Sequence, residues 1–140
     1  EIRRLWSGPL VIKGVLHPAD ALTARNLGAD ALIVSNHGGR QLDGAVAPLA
    51  MLDKVVNAVP NVPVLIDSGI RRGSDVLKAL ALGARMAFVG RPFGYAAAVA
   101  GLPGISHAIS LLAAEVDRNM GLLGITDLSE LGLEFLSTEI

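Results

Sequence analysis

Four short apolar runs punctuate the chain, and each gives way to a polar cluster. Leu10-Val11-Ile12, Ala29 to Val34, Val62 to Ile66 and Met86 to Val89 are rich in branched side chains, which predicts buried strands. Mixed stretches lie between them. Pro18 to Leu27 predicts a helix with proline in its first turn and Gly28 as its cap. Pro48 to Val59 and Ser74 to Leu82 predict two more, the latter closed by Gly83. Phe93 to Ala100 is a further helix, Gly101 to Gly104 breaks it, and Ile105 to about Leu123 is a longer amphipathic one. His17 stands where it can cap the helix at Pro18, and Asp43-Gly44 reads as a turn.

The order is four strand–helix units, an α/β class. The junctions Leu27-Gly28-Ala29-Asp30 and Leu82-Gly83-Ala84-Arg85 resemble each other and form a weak internal repeat. Strands apolar throughout and separated by crossover helices predict a parallel sheet covered on at least one face. Such a sheet is either open and doubly wound or part of a barrel. Each strand carries its polar residues at its C-terminal end: Lys13; Ser35, His37 and Arg40; Asp67, Ser68 and Arg71; Gly90 and Arg91. In a barrel these ends meet on one face, whereas an open sheet spreads them along a crevice. The expectation is four parallel units of a (β/α)8 barrel.

Ser35-Asn36-His37-Gly38-Gly39-Arg40-Gln41-Leu42-Asp43 is an odd cluster to place after a buried strand for stability alone. Its glycines permit sharp turns and close approach to a ligand. Arg40 suits a planar carboxylate or phosphate. His37 suits proton transfer near neutral pH. A base and an anion clamp three residues apart can hold a small acid by its carboxylate and attack the neighbouring C–H or O–H. The bland alternative is a loop whose His and Arg only hydrogen-bond backbone carbonyls. Asp67-Ser68-Gly69-Ile70-Arg71, with Gly90-Arg91 one strand later, reads as an anion cradle: exposed backbone N–H groups, two cations and a helix N-terminus. The alternative there is turn glycines and solvated arginines. Lys13 either faces solvent or belongs to the site.

Charge and composition narrow the field. A formal net charge of −1 gives no sign of a nucleic-acid partner. The absence of cysteine excludes disulfides, thiolate metal sites and a cysteine nucleophile, and fits a reducing compartment. No apolar run is expected to reach the roughly 18–20 residues of a membrane span, and no signal peptide is visible. The chain begins at Glu1, which reads as a piece of a longer polypeptide.

With these residues in view, the chain resembles the C-terminal half of the FMN-dependent α-hydroxy-acid dehydrogenases and oxidases, from Pro9-Leu10-Val11-Ile12-Lys13-Gly14 to about Gly124. The motifs that carry the resemblance are Ser35 to Gln41, Asp67 to Gly73, Lys78 to Ala84, and Gly90-Arg91. Asp67-Ser68-Gly69 is most similar to the lactate and mandelate dehydrogenase branch. The resemblance implies one FMN-binding barrel domain of which residues 1–140 are the C-terminal half, with 126–140 a peripheral tail. It implies His37 as catalytic base and Arg40 as the clamp on substrate carboxylate. It places Lys13 at the pyrimidine end of the flavin and Ser35 on the flavin ring. Asp67, Ser68, Gly69, Ile70, Arg71, Gly90 and Arg91 would hold the ribityl chain and phosphate, and no metal is implied.

The implied reaction is oxidation of an L-2-hydroxy acid of lactate, mandelate or glycolate type to the 2-oxo acid. The family's first four units, with their tyrosines and the aspartate that orients the base, have no counterpart here. Tyr95, past the phosphate loop, reads as packing, and Asp43 is not assigned as the partner of His37. Two other readings stand beside this one: a phosphate- or FMN-binding barrel of another chemistry, and a non-catalytic half-barrel. The implied partners are the substrate and either a complementary half-barrel or a second copy, as a homo-oligomer. The implied location is the cytoplasm or the cytoplasmic side of a membrane.

Overall fold

The computed structural model describes residues 1–137. A short α1 (Ile2–Leu5) precedes β1 (Val11–Val15). Then α2 (Pro18–Asn26) leads to β2 (Ala31–Val34), α3 (Leu49–Ala58) to β3 (Val64–Ile66), and α4 (Gly73–Ala81) to β4 (Met86–Ala87). The long α5 (Arg91–Leu123) and two single 3₁₀ turns follow, Leu128–Glu130 and Leu133–Phe135. The strands pair in chain order, all parallel. These two turns lie in the expected tail from 126 on; residues 138–140 lie outside the described residues.

The pleat divides the strand residues between two unlike faces. Ile12, Leu32 and Val64 share one row, and Val34, Ile66 and Ala87 another. These rows face the helices. Leu32, Val34 and Ile66 are fully buried there against Leu52, Val55 and Val59. The opposite face carries the row Lys13, Ile33, Leu65 and Met86, preceded by Val11 and Ala31. Val11 and Met86 are about half exposed on it, at 47% and 51%. The sheet is therefore covered on one face only, with β1 and β4 as its edges.

The repeated helix-to-strand junction is reproduced bond for bond. Gly28 (φ +90) and Gly83 (φ +95) both occupy the left-handed region. Ala29 N–H donates to Ala24 O and Ala84 N–H to Ala79 O, each at 3.0 Å. These six-to-one bonds close the helix ends. The next residue joins the sheet in both cases: Asp30 N–H reaches Leu10 O at 2.8 Å and Arg85 N–H reaches Val64 O at 2.7 Å. His17 caps α2 as expected, its Nδ1 accepting from Ala19 N–H at 3.2 Å.

Three expectations are corrected. The first strand does not end at Ile12 but runs to Val15, through Gly14 at φ +97 and a register shift between Lys13 and Val15. This bulge leaves Gly14 unpaired and sets Val15 opposite Val34. Ile12, ahead of the bulge, lies on the helix face. The break expected over Gly101–Gly104 contracts to Ala100 and Gly101 (φ 56, ψ −137), and the helix resumes at Leu102. A Cβ on Gly104 would collide with Ala96 O, so the two segments touch at this kink through bare backbone. Finally, α5 is long and apolar enough, by length and composition alone, to cross a membrane, where no such stretch was expected. The kink divides it, and Glu115 fastens its second half to α4 by accepting from Gly73 N–H (2.8 Å) and pairing with Arg72 (2.8 Å).

Candidate active site

The C-terminal ends of all four strands open on one cleft of about 850 Å³. Lys13, His37, Arg40, Asp67, Ser68, Gly69, Ile70, Arg71, Gly90 and Arg91 all line it. Ser35 lies beneath, fully buried. The structure thus brings ten of the eleven candidate site residues into one cleft, with Ser35 next to it, and Ile33 from the open sheet face forms part of the lining.

A charged network runs across the first three strand ends. Lys13 Nζ is 3.0 Å from Asp67 Oδ2, 3.1 Å from Ser35 Oγ and 3.4 Å from His37 Nδ1. Lys13 therefore faces the site rather than open solvent. Burial pushes the Asp67 carboxyl upward, but hydrogen bonds from Ser35, Lys13 and Ser68 and the lysine charge outweigh it and hold the group below its ordinary value. Ser35 Oγ accepts from Lys13 Nζ (3.1 Å) and from His37 N–H (3.0 Å). That fills a hydroxyl's two acceptor positions.

The loop after β2 is held in an unusual backbone. His37 (φ 56), Gly38 (φ 70) and Gly39 (φ 74) are consecutive left-handed residues, costly for the histidine and paid back by its fixed position. Asn36 Oδ1 and Ser68 Oγ both accept the Gly38 N–H, at 3.0 and 2.9 Å. Arg91 Nη2 donates to Gly38 O. A Cβ on Gly38 would lie 2.5 Å from that guanidinium nitrogen. One on Gly14 would lie 2.7 Å from His37 Nε2. The imidazole therefore lies over bare backbone of β1.

The loop after β3 continues the left-handed theme with Ser68 (φ 71) and Gly69 (φ 85). Asp75 Oδ2 accepts from both Arg71 N–H and Arg72 N–H at 2.9 Å, fixing the turn into α4. At Gly69 and Gly90, which line the cleft, the space a Cβ would take is open, so the backbone there is accessible to a ligand. Arg40, Arg71 and Arg91 supply cations around it. Among the described residues no group of three His, Cys, Asp or Glu could hold a metal.

The sequence reading missed Gly14, Asn36 and Asp75. Gly14 carried a signal, since glycine inside a strand marks a bulge or a close approach. Asn36 and Asp75 act on backbone two to four residues away, a pattern common to many turns.

This geometry has counterparts. A sequence model of the FMN-dependent dehydrogenases matches residues 1–138. The chain belongs to the FMN-dependent dehydrogenase family. It is 50% identical over 129 residues to an L-lactate oxidase of Nostoc sp., covering 91% of this chain and 35% of the relative. It is 45% identical over 139 residues to an L-lactate dehydrogenase of Alcaligenes faecalis, covering 99% and 37%. The crystal structure of a soluble mutant of the membrane-associated (S)-mandelate dehydrogenase of Pseudomonas putida superposes with a TM-score of 0.94 at 44% identity, covering 99% of this chain and 39% of that one. This FMN-dependent dehydrogenase chain spans about a third of the length of the relatives it matches. Its four units are part of a (β/α)8 barrel, and the one-sided sheet is that barrel's unfinished wall.

Proposed function

We propose that residues 1–140 form the C-terminal half of a single FMN-binding barrel domain that oxidises an L-2-hydroxy acid, of lactate, mandelate or glycolate type, to the 2-oxo acid. The observation that carries this reading is the convergence of a histidine, a lysine and three arginines from four strand ends on one cleft. The residues fit FMN by charge and shape. Arg71 and Arg91, with open backbone at Gly69 and Gly90, suit its phosphate. Asp67, Ser68 and Ile70 line the stretch where its ribityl chain would run. Lys13 suits the ring's pyrimidine end. Ser35 is proposed to contact the ring as well, through the hydroxyl whose acceptor positions Lys13 and His37 N–H fill. FMN, when bound, supplies the two-electron acceptor.

The protein's own groups do the rest. Arg40 holds the substrate carboxylate through its forked donors. His37 accepts a proton from the substrate, its ring seated on Gly14 and its backbone N–H fastened to Ser35. Lys13 offers a fixed cation where negative charge builds. Arg40 and His37 sit on one rigid loop, so the acid is held and deprotonated from a single frame.

The uncovered sheet face and the edges at β1 and β4 call for a partner, either the complementary half of the barrel or a second copy of this chain, as a homo-oligomer. The location we propose is the cytoplasm or the cytoplasmic side of a membrane; one relative is a membrane-associated enzyme. For the chain by itself a second reading is favoured by that same open face: a half-barrel that holds FMN or phosphate without turnover.

The test is a chimera in which this chain replaces the matching segment of the Nostoc relative. Loaded with FMN and freed of oxygen, it should lose its flavin colour on addition of L-lactate, L-mandelate or glycolate. Bound flavin that none of the three reduces would refute the oxidation reading and leave the holding one.

A further inference from the structure

Ser68 stands where the backbone asks for glycine. Its φ of 71 is left-handed, and Gly69 beside it has φ 85. A glycine takes such angles without penalty, whereas a side chain crowds the following carbonyl. Serine here must contribute something that glycine lacks, and its hydroxyl has two partners. It donates to Asp67 Oδ1 at 3.0 Å and accepts from Gly38 N–H at 2.9 Å. Gly38 is the residue next to His37 and is thirty positions away from Ser68 in the chain.

We propose that Ser68 is a positioning residue for His37: it ties the histidine loop to the charged Lys13–Asp67 pair and so fixes the imidazole from the neighbouring strand. The inference rests on the reading of His37 as the base. The direction of the bonds follows from the charges. Asp67 is ionised beside Lys13 and can only accept, so the Ser68 proton points to it and the Ser68 lone pair is left for Gly38. The Asp67 carboxylate thereby serves two strands at once, Oδ2 for Lys13 of β1 and Oδ1, through Ser68, for the loop after β2. Asn36 Oδ1 also accepts the Gly38 N–H, but it belongs to the same loop and can move with it. Ser68 is the partner that anchors the loop from outside.

The test uses the 140-residue chain with Ser68→Gly and Ser68→Ala, read by amide hydrogen exchange at Gly38 and by the imidazole proton resonances of His37. Both variants should exchange the Gly38 amide about two- to tenfold faster, the loss of one hydrogen bond, and both should move the His37 resonances. Their stabilities should diverge: Ser68→Gly relieves the backbone and unfolds no earlier than the parent, while Ser68→Ala keeps the strained angle and unfolds earlier. Should Ser68→Ala fail to fold, Ser68→Gly still decides. Unchanged Gly38 exchange and unchanged His37 resonances in Ser68→Gly would overturn the proposal and make Ser68 a turn residue only. No turnover enters these readouts. A base other than His37 would show as undiminished flavin reduction without His37, whatever Gly38 does.

Discussion

Gly14→Ala isolates how closely the imidazole is seated. The added Cβ would meet His37 Nε2 at 2.7 Å, roughly 0.7 Å inside the 3.4 Å at which ordinary contact begins. Two costs arise. Alanine at φ +97 strains the backbone by about 1–2 kcal/mol. The ring must also give way, and a displacement approaching 1 Å at a reacting group costs on the order of 100-fold in rate. The remote cleft residues Arg71, Gly90 and Arg91 are untouched, so FMN affinity should hold. In the FMN-loaded chimera, stopped-flow absorbance should show flavin reduction slowed by roughly two orders of magnitude, with flavin still bound. The unfolding midpoint should fall only as far as the backbone term requires. A midpoint that drops while flavin reduction keeps its rate would refute the reasoning. Gly14 would then serve the bulge and not the histidine.

Other consequences are as direct. Arg40→Met should raise the substrate concentration needed for half-maximal reduction and leave FMN bound, at a cost of about 2–5 kcal/mol in substrate binding. Arg91→Met should instead release FMN, and the reverse pattern would invalidate the division of the cleft. Asp67 titrates below its ordinary value, so its contribution to stability is full above that value and is lost as pH falls through the depressed one. Lys13→Met removes a cause of the depression; the gap in unfolding midpoint between parent and variant should be widest near neutral pH and close as acid protonates Asp67. A gap independent of pH would contradict the pairing. Sedimentation of the 140-residue chain at micromolar concentration should give a dimer or larger species. A stable monomer with cooperative unfolding would contradict the need for a partner on the open face.

The strand–helix order and the convergence of polar strand ends were legible because both are local. Leu32 and Val34 are branched neighbours in a run with nowhere to go but a core. Gly28 and Gly83 close two helices by the same bonds because the same four-residue context recurs. What escaped was phase. The bulge at Gly14 shifts β1 by a residue after Lys13, so that Val15, not Gly14, pairs with Val34, and only pairing with β2 reveals it. The kink in α5 was legible from Gly101, but its length was not, since Pro103 is tolerated in the first turn of the resumed helix. Asn36 and Ser68 act through hydroxyl and amide contacts to backbone distant in sequence or masked as an ordinary turn, and composition carries no trace of that.

The account stands on His37 as the proton acceptor of a site built from four strand ends. The most direct measurement is anaerobic stopped-flow reduction of the FMN-loaded chimera with His37 intact and with His37→Ala, using L-lactate, L-mandelate and glycolate in turn. The account predicts that FMN stays bound in both and that the flavin band bleaches only with His37 in place, the variant slower by at least the roughly 100-fold that general base catalysis supplies. Bleaching of the His37→Ala flavin at the parent's rate would contradict it.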